Sequence, residues 1–184
     1  MDKEKIRKAV FDILCAIGED PDRPGLKGTP ERVARMFEEI LGGEKRDISE
    51  ILGRTHELEH DEMVVVRDIN FYTMCEHHLL PFFGVCHIAY VPDDRKIVGI
   101  SKLARIVDVL SKRLQVQEQF TNQIADALML HVKPKGVAVV VKARHMCMEM
   151  RGVQKPGART ITSVVRGLFR SDMRTRDEFL KLIE

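Results

Sequence analysis

Two clusters of cysteine and histidine, far apart in the chain, are the residues whose types could hold a metal ion. The first is Cys75-Glu-His-His78 and the second is His145-Met-Cys147. Cys75 and His78 have the Cys-x-x-His spacing that lets one loop offer a thiolate and an imidazole to the same ion. Because short Cys/His coincidences are common, this pair alone is equally compatible with a buried cysteine beside surface histidines.

The second cluster follows an apolar run, residues 136–143, that predicts a buried strand. Side chains two residues apart on a strand point the same way, so we expect His145 and Cys147 to share a face. If that strand lies near Cys75, then Cys75, His78 and Cys147 can converge on one ion. Three protein ligands leave the fourth tetrahedral position for water, which is typical of catalytic zinc.

A structural metal site is an alternative explanation of the same residues. His77 or His145 could supply a fourth ligand, which would give a zinc-stabilised binding module without catalysis. In an open site the same two histidines would instead lie beside the metal, where they could transfer protons near neutral pH. The spacing alone leaves both possibilities open.

Two further groups could bind a ligand at the starts of predicted helices. Ser101, Lys102 and Arg105 lie where free amides and the helix dipole favour an anion, although a solvated basic face explains them equally well. Glu118 opens the next helix, where the dipole alone favours a carboxylate. Neither a phosphate-binding Gly-x-x-x-x-Gly-Lys-Ser/Thr loop nor a Gly-x-Gly-x-x-Gly motif occurs, so a nucleotide must be bound in another way.

The residues ahead of the first metal cluster predict helices. Apolar residues recur at helical spacing over residues 3–17. Thr29 followed by Pro30 predicts an N-cap with proline at the first helical position. Asp47 and Glu50 form an Asp-x-x-Glu cap pattern, which predicts a further short helix.

From Met63 onward the apolar pattern changes, and strands alternate with helices. We expect strands at about 63–72, 84–91 and 96–100, helices from Ser101 and over 117–131, a hairpin of 137–150 and 159–167, and a last helix capped by Thr175 and Glu178. This order is typical of an α+β domain with helices on one face of an antiparallel sheet.

Composition limits the class of protein. The 184 residues, of which 44% are hydrophobic and 32% charged, suit one domain of ordinary size with a substantial core. The net charge of +2 gives no support to a general nucleic-acid binder. We expect the four cysteines not to form a disulfide framework, and the charged N-terminal residues and the lack of a membrane-length apolar stretch predict neither a signal peptide nor a membrane helix. We therefore expect a cytoplasmic protein that binds neither nucleic acid nor membranes.

Several long motifs together resemble GTP cyclohydrolase I, the zinc-dependent type that opens pteridine biosynthesis. The similarity runs from about Gly25 to the C-terminus, in the order and spacing of that family. The motifs are Cys75-Glu-His-His-Leu-Leu-Pro-Phe-Phe-Gly84, Gly99-Ile-Ser-Lys-Leu-Ala-Arg105, Gln115-Val-Gln-Glu118, and His145-Met-Cys147 through Arg151-Gly152.

This resemblance implies the tunnelling fold, in which an N-terminal helical region over residues 1–60 precedes a catalytic domain over residues 61–184. In that fold the sheets of several subunits combine into a closed barrel, here a homodecamer with active sites where subunits meet. Closure would remove the exposed sheet edges that a single subunit would show.

The resemblance also implies the reaction. GTP would be opened hydrolytically at its imidazole ring, formate released, and the product reclosed as 7,8-dihydroneopterin triphosphate, the first step of folate and tetrahydropterin biosynthesis. Zinc held by Cys75, His78 and Cys147 would activate the water that attacks C8. His77 would protonate the ring nitrogen, and His145 would serve the proton transfers of ring opening and rearrangement.

The resemblance assigns roles in substrate binding as well. Glu118 would bind the guanine edge, with Gln117 nearby. The triphosphate and ribose would be bound by Ser101, Lys102, Arg105, Arg151 and Arg32. A relative of the same fold that acts on a different pterin or deazapurine is the remaining alternative. The unbroken set of metal-ligating and histidine residues argues against it, as it does against a non-catalytic module.

Overall fold

The computed structural model describes residues 1–43, 46–53, 55–94 and 96–184, and the chain forms two compact units, Met1–Gly42 and Gly43–Glu184. The first unit is a pair of packed helices, α1 (Lys3–Ala16) and α2 (Thr29–Ile40). The elements of the second unit are, in order, α3 (Ile48–Leu52), β1 (Thr55–Glu57), β2 (Val64–Cys75), β3 (Pro81–Val91), β4 (Lys96–Val98), α4 (Ile100–Ser111), β5 (Leu114–Gln115), α5 (Gln117–His131), β6 (Gly136–His145), α6 (Met146–Glu149), β7 (Thr160–Gly167), α7 (Leu168–Ser171) and α8 (Met173–Leu182).

The helices predicted in the N-terminal region are present, with one change at a cap. The α1 helix matches the predicted residues 3–17 closely, and α3 follows Asp47, whose carboxylate accepts a hydrogen bond from the Ser49 amide as expected. The N-cap of α2 is Gly28 rather than Thr29. The Thr29 hydroxyl instead accepts a hydrogen bond from the Arg32 guanidinium at 3.0 Å, so it does not cap the helix.

A five-stranded sheet in the order β5-β2-β3-β6-β7 organises the second unit. All neighbouring strands are antiparallel except the short β5, which pairs in parallel with the end of β2. The sheet curls like half of a barrel, and β2 carries a bulge between Val66 and Ile69, where Asp68 has a φ of 60°. A bulge of this kind bends a strand and increases its twist. The α+β class predicted from the sequence is confirmed, and the curled sheet is consistent with the tunnelling fold.

The two long helices cover one face of this sheet, as predicted. Their apolar stripes are fully buried against β2, β3 and β6, and the predicted inward residues are all among them: Leu103, Ile106, Val107 and Leu110 on α4, and Phe120, Ile124, Ala127 and Leu128 on α5. Part of the opposite face is also covered, which the sequence did not predict. There Phe169 of α7 and Phe179 of α8 pack on Ala89 and Val140.

Gly84 allows β3 and β6 to approach closely in the centre of the sheet. A Cβ atom at this position would lie 2.0 Å from the carbonyl oxygen of Lys142, a distance that no side chain tolerates. The absence of a side chain therefore keeps the two strands in register, with Phe82 opposite His145.

Two predicted boundaries near the C-terminus are wrong. The strand predicted over 137–150 ends at His145, and the next four residues form the short helix α6. The last helix begins at Met173 and is capped by Asp172, whose carboxylate accepts from the Arg174 amide at 2.9 Å, rather than by Thr175. Among the described residues, no helix is both long and apolar enough to cross a membrane.

Candidate metal centre and active site

The turn that joins β2 to β3 brings Cys75 and His78 to the same place. The Cys75 amide donates to the carbonyl of Leu80 at 2.9 Å, and the Cys75 carbonyl accepts from the amides of His78 and Leu79. Leu79 closes the turn with a φ of 52°, in the left-handed region. Because both ends of the turn are hydrogen-bonded, the buried thiol of Cys75 and the exposed imidazole of His78 are held on the same small loop.

Cys147 reaches the same place through α6, not through an extended strand. Since β6 ends at His145, the predicted alternation of His145 and Cys147 along one strand face does not exist. A two-point ion pair fixes the helical turn instead. Arg144 Nε and Nη2 donate to the two carboxylate oxygens of Glu149 at 2.8 and 2.5 Å, and this pairing lowers the pKa of Glu149. The end of β6 and the end of α6 are thereby tied together around Cys147.

Cys75, His78 and Cys147 form a group able to hold a metal ion. Their ligand atoms all lie within 4.8 Å of one another. Two sulfurs and one imidazole are ligands that zinc prefers in a tetrahedral site. Burial raises the pKa of the Cys147 thiol, and the neighbouring Cys75 sulfur raises it further. Two thiolates so close together repel each other, and a divalent cation between them would remove that cost. The donor set therefore fits zinc.

Two polar residues adjoin this group. Arg151 Nη1 lies 3.0 Å from Nε2 of His78, which links the predicted phosphate-binding arginine directly to a candidate metal ligand. His77 is exposed, and its Nε2 lies 3.7 Å from a carboxylate oxygen of Glu76. Its position next to His78 in the same turn is as the sequence predicts, and it remains accessible from solvent.

His145 is held on two sides. Its ring stacks on Phe82 with a centroid distance of 4.5 Å and an angle of 4° between the planes. Its Nε2 atom lies 2.8 Å from Oε1 of Gln117, at the start of α5. Burial lowers the pKa of His145, while the carboxylate of Glu118 acts in the opposite direction. Glu118 is therefore close enough to His145 to influence its charge.

Comparison with known proteins identifies the family to which these residues belong. The family model of GTP cyclohydrolase I matches residues 6–184. The GTP cyclohydrolase 1 of Thermoanaerobacter pseudethanolicus is 58% identical over 183 residues, which cover 100% of this chain and 97% of that protein. That of Carboxydothermus hydrogenoformans is 59% identical over 183 residues, covering 100% of this chain and 95% of that protein.

The chain belongs to the GTP cyclohydrolase I family. The resemblance noted in the sequence is thus confirmed over the whole chain. Among solved structures, the apo form of the archaeosine synthase QueF-Like covers 57% of this chain and 93% of its own, with a TM-score of 0.46 and 17% identity.

GTP cyclohydrolase I is a zinc-dependent enzyme, and the Cys75, His78 and Cys147 group of this chain is able to bind the metal. Five further residues predicted for a GTP cyclohydrolase I site lie in the two long helices, and Arg32 lies in the N-terminal unit. Gln117 and Glu118 lie in the first turn of α5, beside His145. Ser101, Lys102 and Arg105 lie in the first two turns of α4.

Among the described residues, those of α4 make no contact with the metal group of the kind that Arg151 makes. Ser101 and Arg105 are exposed, and within the described residues they make no hydrogen bond or ion pair with the metal ligands. Arg32 belongs to the N-terminal unit, where its guanidinium donates to the Gly25 carbonyl and the Thr29 hydroxyl. Their roles in binding GTP remain predictions.

Sequence reasoning missed the residues that support His145. Phe82 lies inside the Cys75–Gly84 motif, but no role was predicted for it. It faces His145 because the two residues are directly paired across β3 and β6. A correct alignment of the two strands would have been the only sequence signal for this contact. The Thr162 hydroxyl, which accepts from the Gln117 amide, and the Thr121 hydroxyl, which contacts Thr162, belong to no sequence motif.

Proposed function

We propose that this chain hydrolyses GTP at the imidazole ring of its guanine, releases C8 as formate and recloses the product as 7,8-dihydroneopterin triphosphate. Membership of the GTP cyclohydrolase I family supports the reaction. The observation that carries it in this chain is the convergence of Cys75, His78 and Cys147 within 4.8 Å. In the chain, His77 directly precedes His78, and His145 lies two residues before Cys147. A zinc ion held by these three ligands would act as a Lewis acid on the water that adds to C8.

The two spare histidines are the candidates for proton transfer. His145 is half-buried and has a fixed ring plane, so it is suited to exchange protons with the base and ribose at one defined position. His77 is exposed in the same turn as Cys75 and His78, which suits it to protonate the ring nitrogen that departs as the imidazole opens. These assignments follow the family resemblance and the proximity of both residues to the metal group.

Guanine recognition is assigned to Glu118. An ionised carboxylate can accept hydrogen bonds from both N1–H and the 2-amino group of guanine. The Glu118 carboxylate is exposed at the start of α5, and it acts to raise the pKa of His145. A guanine bound to Glu118 would therefore lie near the histidine that transfers protons. The triphosphate is assigned to Ser101, Lys102, Arg105, Arg151 and Arg32. Of these, Arg151 has the strongest structural support, since it already contacts His78.

The active form is proposed to be a homodecamer in the cytoplasm. Both edge strands of the sheet carry exposed apolar side chains, with Leu114 of β5 43% exposed and Ile161 of β7 61% exposed. Pairing of such edges between subunits would close the sheet into a barrel and cover these residues. The cysteines are all free in the structure, which supports a reducing compartment.

A non-catalytic zinc module is the alternative from another functional class. It requires a fourth protein ligand, and neither candidate histidine is joined to the group. Among the described residues the group able to hold a metal contains three members. His145 uses Nε2 on Gln117, and His77 lies against Glu76. The open fourth position favours catalysis.

Incubation of the zinc-loaded protein with GTP tests the proposal. We expect one formate per GTP consumed and a product that becomes a fluorescent pterin after oxidation. A relative acting on another pterin or deazapurine would leave GTP intact, and a binding module would retain GTP without releasing formate. Unchanged GTP after prolonged incubation would overturn the proposal.

A further inference from the structure

The orientation of the Gln117 side chain is fixed by two backbone carbonyls, which can only accept hydrogen bonds. Gln117 is 1% exposed, and its Nε2 lies 3.1 Å from each of three oxygens: the carbonyls of Val141 and Thr160 and the hydroxyl of Thr162. Backbone carbonyls have no hydrogen to donate, so the amide NH₂ must be the group that faces them. The side-chain oxygen Oε1 is thereby directed to the opposite side, towards His145.

The hydroxyls of Thr121 and Thr162 are consistent with this orientation of the Gln117 amide. Thr121 Oγ1 donates to the main-chain carbonyl of Gln117 at 2.7 Å, and it lies 2.6 Å from Thr162 Oγ1. Because the hydrogen of Thr121 is used on that carbonyl, Thr162 must donate to Thr121 and accept from Gln117. Reversing the amide would place Oε1 against two carbonyl oxygens, which is strongly unfavourable in a buried site.

The fixed amide determines which nitrogen of His145 carries a proton. Oε1 of Gln117 is an acceptor without a hydrogen, and it lies 2.8 Å from Nε2 of His145. A short contact between two acceptors would be repulsive, so Nε2 must be protonated and donate. The Phe82 ring, fully buried and parallel to the imidazole, hinders the ring flip that would place Cε1 instead of Nε2 opposite Oε1 of Gln117.

We propose that Gln117 is a positioning residue that holds a proton on Nε2 of His145, so that the neutral ring exchanges protons with substrate through Nδ1. This role differs from the sequence-based expectation that Gln117 lies near the guanine as a substrate-binding residue, because its amide hydrogens are already bonded to protein oxygens. The predicted effect of this role on the turnover of GTP rests on the proposed function. The tautomer itself does not, because it follows from protein atoms alone.

The kinetic test compares Gln117→Met with Thr121→Val as a matched control. Both changes replace a buried polar side chain of the same network with an apolar one of similar size, but only the first removes the partner of His145. We expect Gln117→Met to lower kcat for GTP roughly 10- to 100-fold, the usual range for loss of an orienting partner, with KM nearly unchanged. Thr121→Val should change kcat less than about threefold, because the Val141 and Thr160 carbonyls still orient the amide.

Two kinetic outcomes would overturn the proposal. A raised KM with unchanged kcat in Gln117→Met would show that Gln117 binds substrate. An equal loss of kcat in both variants would show that the network only supports the fold.

A spectroscopic test needs no Gln117 variant. Solid-state ¹⁵N spectra of histidine-labelled, zinc-loaded protein distinguish protonated from unprotonated ring nitrogens, and subtraction of the His145→Gln spectrum identifies His145. At a pH about two units above the ordinary histidine pKa, we expect His145 with a protonated Nε2 and a bare Nδ1. A proton on Nδ1, alone or in a mixture, would overturn the proposal. Failure of the proposed function, seen as wild-type protein that releases no formate, would leave this spectrum unaffected.

Discussion

At the scale of single residues, the raised pKa of the Cys147 thiol explains why the site requires a cation. Its pKa is raised by burial and by the neighbouring sulfur of Cys75, so without metal the Cys147 thiol resists the deprotonation that coordination requires. Zinc binds thiolates, and the free energy of binding offsets the cost of removing both protons. His78 completes the group with a neutral ligand, which leaves the two thiolates to balance the charge of the ion.

Replacing Cys147 by serine should remove the metal. A serine hydroxyl is a much weaker zinc ligand than a thiolate, so we expect the zinc content of purified Cys147→Ser to fall from about one ion per chain to nearly none. Elemental analysis measures this. Cys86→Ser is the matched control, because Cys86 is a fully buried core residue outside the group and burial raises its pKa. Full zinc content in Cys147→Ser would exclude Cys147 as a ligand.

Glu118 should determine the choice of base. Inosine lacks only the 2-amino group of guanine, and a charged hydrogen bond to that group contributes about 1.5–3 kcal/mol. Wild-type protein should therefore prefer GTP to ITP by about tenfold or more in kcat/KM, and Glu118→Gln should lose most of that preference. Asp126→Asn is the control, since it also removes a carboxylate from α5 but one that pairs with Arg166.

A different outcome would follow if Glu118 only stabilises the start of its helix through the dipole. The variant would then melt at a slightly lower temperature while its GTP/ITP ratio stayed the same. Steady-state kinetics with both substrates, together with thermal melts of both variants, separate the two explanations.

At the scale of secondary-structure elements, α6 is the feature that completes the metal group. A helical turn of four residues carries Cys147 from the end of β6 to the β2–β3 turn. The Arg144–Glu149 ion pair spans this turn, and the amide of Lys155 donates to the Met148 carbonyl at 3.0 Å. The position of the ligand therefore depends on a short element that has little stability of its own.

Glu149→Gln should weaken zinc retention without removing any ligand. The amide can keep only one of the two charge-assisted bonds to Arg144, so α6 is held less firmly around Cys147. We expect roughly tenfold weaker zinc affinity in competition with a chelator, as is usual for loss of a supporting interaction. Asp126→Asn, which breaks an exposed ion pair elsewhere, should retain zinc as the wild type does. Equal retention in both variants would contradict a supporting role for Glu149.

The long elements could be predicted from the sequence, and the short ones could not. The helices α4 and α5 carry apolar stripes that run for several turns, and both were predicted with the correct buried residues. The sequence from His145 to Cys147 fits an alternating strand as well as a helix, because three residues are too few to show either the helical or the strand periodicity. Likewise, the Asp172 cap and the predicted Thr175 cap lie within one turn of each other.

Because family motifs identify residue types independently of local conformation, the sequence nevertheless predicted that Cys75, His78 and Cys147 form one group, and the structure brings their ligand atoms within 4.8 Å of one another. The same motifs did not reveal the support of His145 by Phe82 and Gln117. That support depends on the register of β3 against β6 and on the approach of α5, which are set by tertiary packing. Local sequence patterns contain no direct signal for either.

At the scale of the whole molecule, the sheet is incomplete as a single subunit. Within the part of the chain that the structure describes, its edge strands β5 and β7 each have one side without a partner strand, and both expose apolar residues. Exposed edges of this kind promote association unless they are paired or covered. The proposed decamer would pair them, and the family resemblance places the active sites where subunits meet.

Assembly should therefore accompany activity. We expect light scattering at working concentration to give a mass about ten times the 21.1 kDa of one chain, with formate release confined to the assembled fraction. Gradual dilution should lower the specific activity once the ring dissociates. A monomer that releases formate at the full rate would contradict the proposed assembly.

The dependence of formate release on bound zinc tests the central claim most directly. Metal-free protein prepared with a chelator should release no formate from GTP. Stepwise addition of zinc should restore the rate in proportion to the metal bound, up to about one ion per chain, and Cys147→Ser should stay inactive throughout. Formate release at the full wild-type rate from verified metal-free protein would contradict the claim that Cys75, His78 and Cys147 hold a catalytic metal.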